Sequence, residues 1–408
     1  MKRFIVNGGR RLVGEVMVSG SKNAALPILF STLAVKGVSK IKNVPDIGDV
    51  RITVGILRSM GARITRRGSV LTVDTTSVLY NTPSERDTAQ IRASTYLIGS
   101  CLSRFGGCEL LRFGGCNFAK RPIDLHLFAA ECLGAEIQER VVKCKRLTGA
   151  EIRFSKKSVG ATVNALIMAS GANGMSKIYN YAEEPHILDL IKYLRNAGAT
   201  IELYPEYILV EGRELHGAEI TVGADLIEAG SYAAFALATG GDVILKGIKD
   251  TEMSTVIAAV TSAGGSASSV DGGVRFFGQV NKAFEIIAAP YPGFPTDLQP
   301  LFSTLMAFGS GGGYTDTVFP ERFSHLSELS AFGVCYYKVM DRIIVPEIKH
   351  ATAATVSAQD LRGGAACLLA ALGTEGESSI LFAERILRGY ERPQEKLVGL
   401  GASVSLIG

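Results

Sequence analysis

The chain has 408 residues, of which 47% are hydrophobic and 20% charged, and its formal net charge is +4. This is a globular composition, long enough for two domains, and so mild a charge with no Lys/Arg block excludes a nucleic-acid footprint. No stretch has the uninterrupted apolar length of a membrane span. The seven cysteines (101, 108, 116, 132, 144, 335, 367) form no CxxC pair, and the five histidines no ligand pattern. They predict free thiols in a reducing compartment and no metal site. The opening Met1-Lys-Arg-Phe-Ile-Val has no apolar signal core, which predicts a cytoplasmic protein without a membrane partner.

In chain order, residues 1–20 alternate as strands around Gly8-Gly9 and Gly14. From Ser21 a phrase begins that comes round six times: an apolar helix, then a second helical stretch ending in a residue–Gly pair, then a short strand. The pairs are Met60-Gly61, Leu133-Gly134, Ala197-Gly198, Ala263-Gly264, Phe332-Gly333 and Leu400-Gly401, with the glycines 64 to 73 residues apart. A fixed period marks a repeated supersecondary unit, and Gly just past a helix end supplies the left-handed turn into the strand. Six units divide into three and three. The expected division is 21–225 for one three-repeat domain and 1–20 plus 226–408 for the other.

The apolar helix of each unit starts near Lys22, Arg92, Ser158, Glu228, Asp297 and Arg362. Apolar residues on most sides predict helices buried at the centre of a domain. Three of these six openings are cations, the wrong sign for a helix N-terminus unless an anion is held between cation and dipole. Gly309-Ser-Gly-Gly-Gly313 lacks the Gly-Lys-Ser/Thr of a phosphate loop and reads as a helix-to-strand turn.

Function shows where the repeat is broken. Phe113-Gly-Gly-Cys-Asn-Phe-Ala-Lys-Arg-Pro-Ile-Asp-Leu-His126 sets Cys116 in a glycine-flanked loop close to Lys120 and Arg121, cations that make a thiol reactive. Lys22-Asn23 opens the first helix. Ser158, after Lys156-Lys157, opens the third with the charge and N–H groups of a diphosphate seat. Asp297, in Phe294-Pro-Thr-Asp297, suits capping and catalysis equally well. Asp360-Leu-Arg362 and Arg388-Gly-Tyr-Glu-Arg392 add cations in the last unit.

The phrases Ser19-Gly-Ser-Lys-Asn-Ala-Ala-Leu-Pro27, Ile91-Arg-Ala-Ser94, the Gly114–His126 segment, Ser158-Val-Gly-Ala-Thr162, Phe294–Gln299, Asp360–Arg362 and Arg388–Arg392 come in this order. Together they resemble the UDP-N-acetylglucosamine 1-carboxyvinyltransferases, enolpyruvyl transferases related to 5-enolpyruvylshikimate-3-phosphate synthase. The resemblance runs from the first strand to the last helix. It implies an α/β fold of two inside-out barrels, six repeated βα units with buried parallel helices. It further implies transfer of an enolpyruvyl group from phosphoenolpyruvate to the 3′-hydroxyl of UDP-N-acetylglucosamine, without a cofactor, by a monomer whose partners are these small molecules. By the same resemblance Cys116 is the acid that protonates C3, and Asp297 the base for the sugar hydroxyl. Lys22, Arg121 and Arg388 hold phosphoenolpyruvate, with Arg362 nearby. Asn23, Arg92 and the backbone of Val318 orient the sugar, and Arg322, which keeps its family place, is a further substrate-binding residue. Arg121, Pro122, Ile123, Asp124 and Leu125 seat the uridine, and Lys156, Lys157, Ser158 and Val159 the diphosphate. Two positions depart from the family pattern: Pro320 in Phe319–Phe323, and Leu226 after Asp225. They motivate one alternative, a non-catalytic paralogue that binds the nucleotide sugar; a second, a transferase for another hydroxyl, has the Cys116 loop and the Arg121–Leu125 segment against it.

Overall fold

In a computed structural model the protein is described for residues 2–115 and 121–408. The chain divides into two compact units, one made of the described residues of 1–19 and 224–408, the other of those of 20–223.

Each unit is built around three buried helices. In one these are Lys22–Ser31, Leu97–Phe105 and Val159–Gly171; in the other, Leu226–Ala238, Gln299–Phe308 and Leu361–Gly373. The reason is composition: ten consecutive residues, Ala161 to Ser170, are buried, which only a helix without a polar face tolerates. Some polar groups that enter the core bond to a helix carbonyl, while Ser170 Oγ and Tyr232 OH are buried without a hydrogen-bond partner among the described residues. Ser100 Oγ donates to Phe30 O at 2.8 Å, and Ser31 Oγ to Pro27 O at 2.6 Å.

A second set of helices is amphipathic. Pro185–Asn196 buries Ile187, Leu190, Ile191 and Leu194 and turns Lys192 and Arg195 outward. The six Gly pairs end this set, and all six glycines are left-handed, with φ from 89° at Gly264 to 115° at Gly198. In each case the next N–H reaches five residues back, as Ala62 does to Leu57 O (3.0 Å) and Ala402 to Leu397 O (3.0 Å). This is the Schellman closure; the following strand starts two residues after the glycine in five repeats and four after it, at Tyr337, in the repeat of Gly333.

The strands form five four-stranded sheets and one of three among the described residues. Where a buried helix joins two strands of one sheet the pair is parallel: Glu151–Arg153 with Met175–Tyr179, Phe284–Ala288 with Gly312–Asp316, and Thr355–Ser357 with Gly376–Leu381. In the remaining two parallel pairs the partner comes from far along the chain. Glu219–Thr221 lies beside Val38–Lys42, and Val13–Met17 beside Asp242–Lys246. The three-stranded sheet belongs to the second repeat. It has no parallel strand, and the chain before it forms the short helix Glu85–Thr88 and the turn Arg92–Tyr96.

Helix starts differ from expectation in three places. Arg92 opens a 3-10 turn, and the α-helix begins at Leu97. Glu228 lies inside a helix that starts at Leu226, because Asp225 is its cap, accepting from the N–H groups of Ile227 (2.8 Å) and Glu228 (3.0 Å). Asp297 precedes a helix that starts at Gln299. The Gly309–Gly313 run is the expected turn, with Gly311 left-handed at φ 79°.

Candidate active site

The site residues expected from sequence fall into two groups, one in each unit. Cys116 lies outside the described residues.

In the unit of residues 20–223, Lys22 is the first residue of its helix, capped by Ser21 Oγ on Ala24 N–H. Its Nζ lies 3.5 Å from the buried carboxylate of Asp49. Asn23 follows, half-buried. Arg92 donates to Pro122 O at 3.1 Å, which ties the Arg92–Tyr96 turn to the Arg121–Leu125 segment. Burial and then the nearby Arg121 guanidinium push the Arg92 pKa down to about 10. Two guanidiniums held so close repel each other in a low-dielectric setting, and an anion between them relieves that cost. Ile123 precedes the Asp124–Cys132 helix, whose first turn holds Asp124 and the buried Leu125.

The Val159–Gly171 helix opens beside this segment. Ser158 caps it, accepting from Ala161 N–H at 3.4 Å. The N–H groups of Val159 and Gly160 have no acceptor within the helix, as in any first turn. Lys156 is exposed, while Lys157 is ion-paired with Glu183.

In the other unit Asp297 is the centre. Arg322 Nη1 donates to its Oδ1 at 2.9 Å, and Arg362 donates to Oδ2 from Nη2 at 3.0 Å and from Nε at 3.2 Å. Both arginine side chains are 4% exposed, against 28% for Asp297, so the carboxylate faces outward from a buried cationic clamp. Burial works against the Arg362 charge, but Asp297, Tyr390 and Asp225 outweigh it and hold its pKa above the ordinary value. The next helix has Leu298 at its N-cap, and the bonds from Arg322 and Arg362 define the setting of Asp297.

A second carboxylate builds the neighbouring turn. Asp316 Oδ1 accepts from Val318 N–H (2.9 Å) and Phe319 N–H (2.8 Å), and its Oδ2 from Thr296 Oγ at 2.5 Å. The Val318 N–H is thereby used within the protein, and its carbonyl is the group it can offer a ligand. Pro320 stands second in a turn closed by Arg322 N–H to Phe319 O at 2.9 Å, a place that proline's fixed φ favours. Arg388 ends a 3-10 turn at half-burial, and Tyr390 beyond it lies under the Arg362 guanidinium, 5.4 Å from carbon to ring centre.

Sequence reasoning missed Asp49, Asp316, Thr296 and Asn164. Asp49, Thr296 and Asn164 act through partners distant in sequence, while Asp316 also holds the N–H groups of Val318 and Phe319 close by.

Comparison with known proteins follows the same architecture. Residues 6–397 match the family model of EPSP synthase (3-phosphoshikimate 1-carboxyvinyltransferase). The chain is 37% identical to UDP-N-acetylglucosamine 1-carboxyvinyltransferase 3 of Caldanaerobacter subterraneus subsp. tengcongensis, with 99% of each chain covered. It is also 37% identical to UDP-N-acetylglucosamine 1-carboxyvinyltransferase 1 of Streptococcus agalactiae, with 100% of each covered. Among solved structures, the enolpyruvyl transferase NikO from Streptomyces tendae superposes with a TM-score of 0.87 at 24% identity, covering 100% of this chain and 99% of that one. EPSP synthase from Acinetobacter baumannii superposes at 0.73 and 17% identity, with 100% of each covered. Those two structures share the fold, the two-domain inside-out α/β architecture. With the family match and the relatives over the full length, the chain belongs to the EPSP synthase family of enolpyruvyl transferases, among the UDP-N-acetylglucosamine 1-carboxyvinyltransferases.

Proposed function

We propose that the protein transfers the enolpyruvyl group of phosphoenolpyruvate to the 3′-hydroxyl of UDP-N-acetylglucosamine and releases phosphate, the first committed step of peptidoglycan synthesis. The observation that carries this reading is the full-length 37% identity to enzymes of that name. The site chemistry supports it. Phosphoenolpyruvate is small and densely anionic, and Lys22, Arg121, Arg388 and Arg362 supply cations to hold it. Arg92, Asn23 and the Val318 carbonyl orient the sugar. Arg121, Pro122, Ile123, Asp124 and Leu125 seat the uridine, and Lys156, Lys157, Ser158 and Val159 the diphosphate.

In the reaction the sugar oxygen attacks C2 as C3 takes a proton, giving a tetrahedral intermediate. Loss of a C3 proton and of phosphate then restores the double bond. This needs one acid and one base. Cys116 is the acid, a thiol made reactive by the cations Lys120 and Arg121 that follow it in sequence. Asp297 is the base for the hydroxyl proton, its direction fixed by the bonds from Arg322 and Arg362. Arg322 is a positioning residue, since it bonds to Thr296 O and Asp297 rather than facing solvent. Residues 21–225 and 1–20 plus 226–408 form the two domains of a cytoplasmic monomer.

Mass spectrometry of products tests the substrate. Phosphoenolpyruvate with UDP-N-acetylglucosamine should give the enolpyruvyl nucleotide sugar, and phosphoenolpyruvate with shikimate 3-phosphate no product. The reverse pattern would reassign the acceptor.

A further inference from the structure

One buried side chain between the Arg121–Leu125 segment and the Val159–Gly171 helix has no role in the reading above. His126 is 4% exposed, and its Nδ1 lies 2.7 Å from Asn164 Nδ2. The Asn164 amide is oriented by two backbone partners. Gly99 N–H donates to its Oδ1 at 3.0 Å, and its Nδ2 donates to Thr95 O at 3.0 Å. The group facing His126 is therefore an NH2, and Nδ1 has to accept from it. A neutral imidazole that accepts at Nδ1 carries its proton on Nε2.

The Nε2 edge faces the first turn of the Val159–Gly171 helix. A Cβ placed on Gly160 would lie 2.8 Å from Cε1 and 3.0 Å from Nε2, so only glycine lets the ring close over the turn. Among the described residues Nε2–H has no acceptor. Three charges bear on the site: Arg92 opposes protonation of the ring, Asp124 favours it, and Arg121 lies beside Arg92. The first turn of the facing helix, Val159-Gly-Ala-Thr162, carries no ionisable group. Burial leads, and the pKa falls to about 4.

We propose that His126 is a fixed neutral donor, its Nε2–H directed together with the first-turn N–H groups of the Val159–Gly171 helix at a phosphate oxygen of a nucleoside diphosphate. The inference rests on the nucleotide-sugar reading and names how that ligand's diphosphate is recognised. A further cation beside Arg92 and Arg121 would add repulsion in the empty site. A neutral N–H adds a directional bond without that cost, and it does so equally at pH 6 and pH 8.

Calorimetry with UDP and with uridine tests this on the unmutated protein, His126→Leu and His126→Gln. Losing a hydrogen bond to a charged acceptor should weaken UDP binding about 10- to 100-fold in His126→Leu. Uridine binding should be unchanged, and His126→Gln, whose amide N–H can stand near the Nε2 position, should recover part of the loss. Equal weakening of UDP and uridine, or none, overturns the proposal. Nitrogen NMR of the His126 ring in unmutated protein gives the answer without a variant. Neutral, Nε2-protonated imidazole at pH 6 and 8, with an Nε2–H signal that moves on adding UDP but not uridine, is expected. A charged or Nδ1-protonated ring, or one indifferent to bound UDP, overturns it. Absence of UDP and UDP-N-acetylglucosamine binding by the unmutated protein would instead overturn the nucleotide-sugar reading itself, and this inference with it.

Discussion

Arg322 offers the sharpest perturbation of the site, because it touches Asp297 without facing solvent. Its Nη1 donates to Asp297 Oδ1 at 2.9 Å, to Thr296 O at 3.0 Å and to Thr296 Oγ at 3.3 Å. Arg322→Met keeps the length of the chain and removes all three bonds. A buried charge left wholly unpaired costs about 3–5 kcal/mol. Here the carboxylate is 28% exposed and keeps Arg362, so water and the second guanidinium reduce that figure. The loss of one charge-assisted bond, about 1.5–3 kcal/mol, is the better measure. For a domain of this size about 2 kcal/mol lowers the melting temperature by roughly 4–8 °C. The catalytic consequence is distinct from the structural one. With Oδ1 released, Asp297 can turn about its side-chain bonds, and kcat should fall at least tenfold with little change in KM for either substrate. Thermal melts and steady-state phosphate release measure both effects. A double-mutant cycle with Asp297→Asn should give a coupling of about 1.5–3 kcal/mol in kcat/KM. A cycle that closes at zero, or an Arg322→Met protein with unchanged kcat, would refute the clamp.

Gly134 and Gly55 form a matched pair for the repeat's backbone logic, since a Cβ meets nothing within 4 Å at either. Gly134→Ala should nonetheless destabilise by about 1–2 kcal/mol, because φ is 91° there, whereas helical Gly55→Ala should stabilise by about 0.4–1 kcal/mol; denaturant melts of the two would have to differ in sign. Burial lowers the folded-state pKa of His126 to about 4 and of His325 to about 3, with Arg92 and Arg322 respectively adding to the effect. The unfolded chain therefore binds these protons near pH 6.5 and the folded chain does not. The stability they contribute is complete above that pH and lost as pH falls toward 4, on the order of 3 kcal/mol for each. Melting temperatures that stay level from pH 7.5 to 4.5 would contradict this. Asn164→Leu removes the partners of Gly99 N–H, Thr95 O and His126 Nδ1 together, all at a fully buried position. It should cost about 2–4 kcal/mol and should release the His126 tautomer, read by the same nitrogen NMR.

The repeat was legible because its signal is local. A left-handed residue after a helix needs glycine whatever surrounds it, so six glycines at one period mark six helix ends and six strand starts. The second repeat's helix start was less legible. Ser94 and Thr95 bond back to the carbonyls of Ile91 (2.7 Å) and Arg92 (3.0 Å), and hydroxyls that compete in this way favour a 3-10 turn that composition alone does not announce. Asp297 shows where local reading stops. Its sequence context fits a cap, and only Arg322 and Arg362, 25 and 65 residues away, reveal a clamped carboxylate. Pro320 shows the converse: a departure from the family phrase fits the turn it occupies, whose closing bond, Arg322 N–H to Phe319 O, does not use its N–H. Glu228 likewise reads as a helix opening but holds Lys396 Nζ at 2.7 Å and Ser19 N–H at 2.6 Å, partners no spacing could supply.

The central claim is that this chain moves an enolpyruvyl group onto a nucleotide sugar with Cys116 as its acid. Phosphate release from phosphoenolpyruvate, followed with and without UDP-N-acetylglucosamine in the unmutated protein and in Cys116→Ala, tests it most directly. Release that requires the sugar and disappears in the variant is the predicted result. Release indifferent to the sugar, or unchanged without the thiol, would contradict the account.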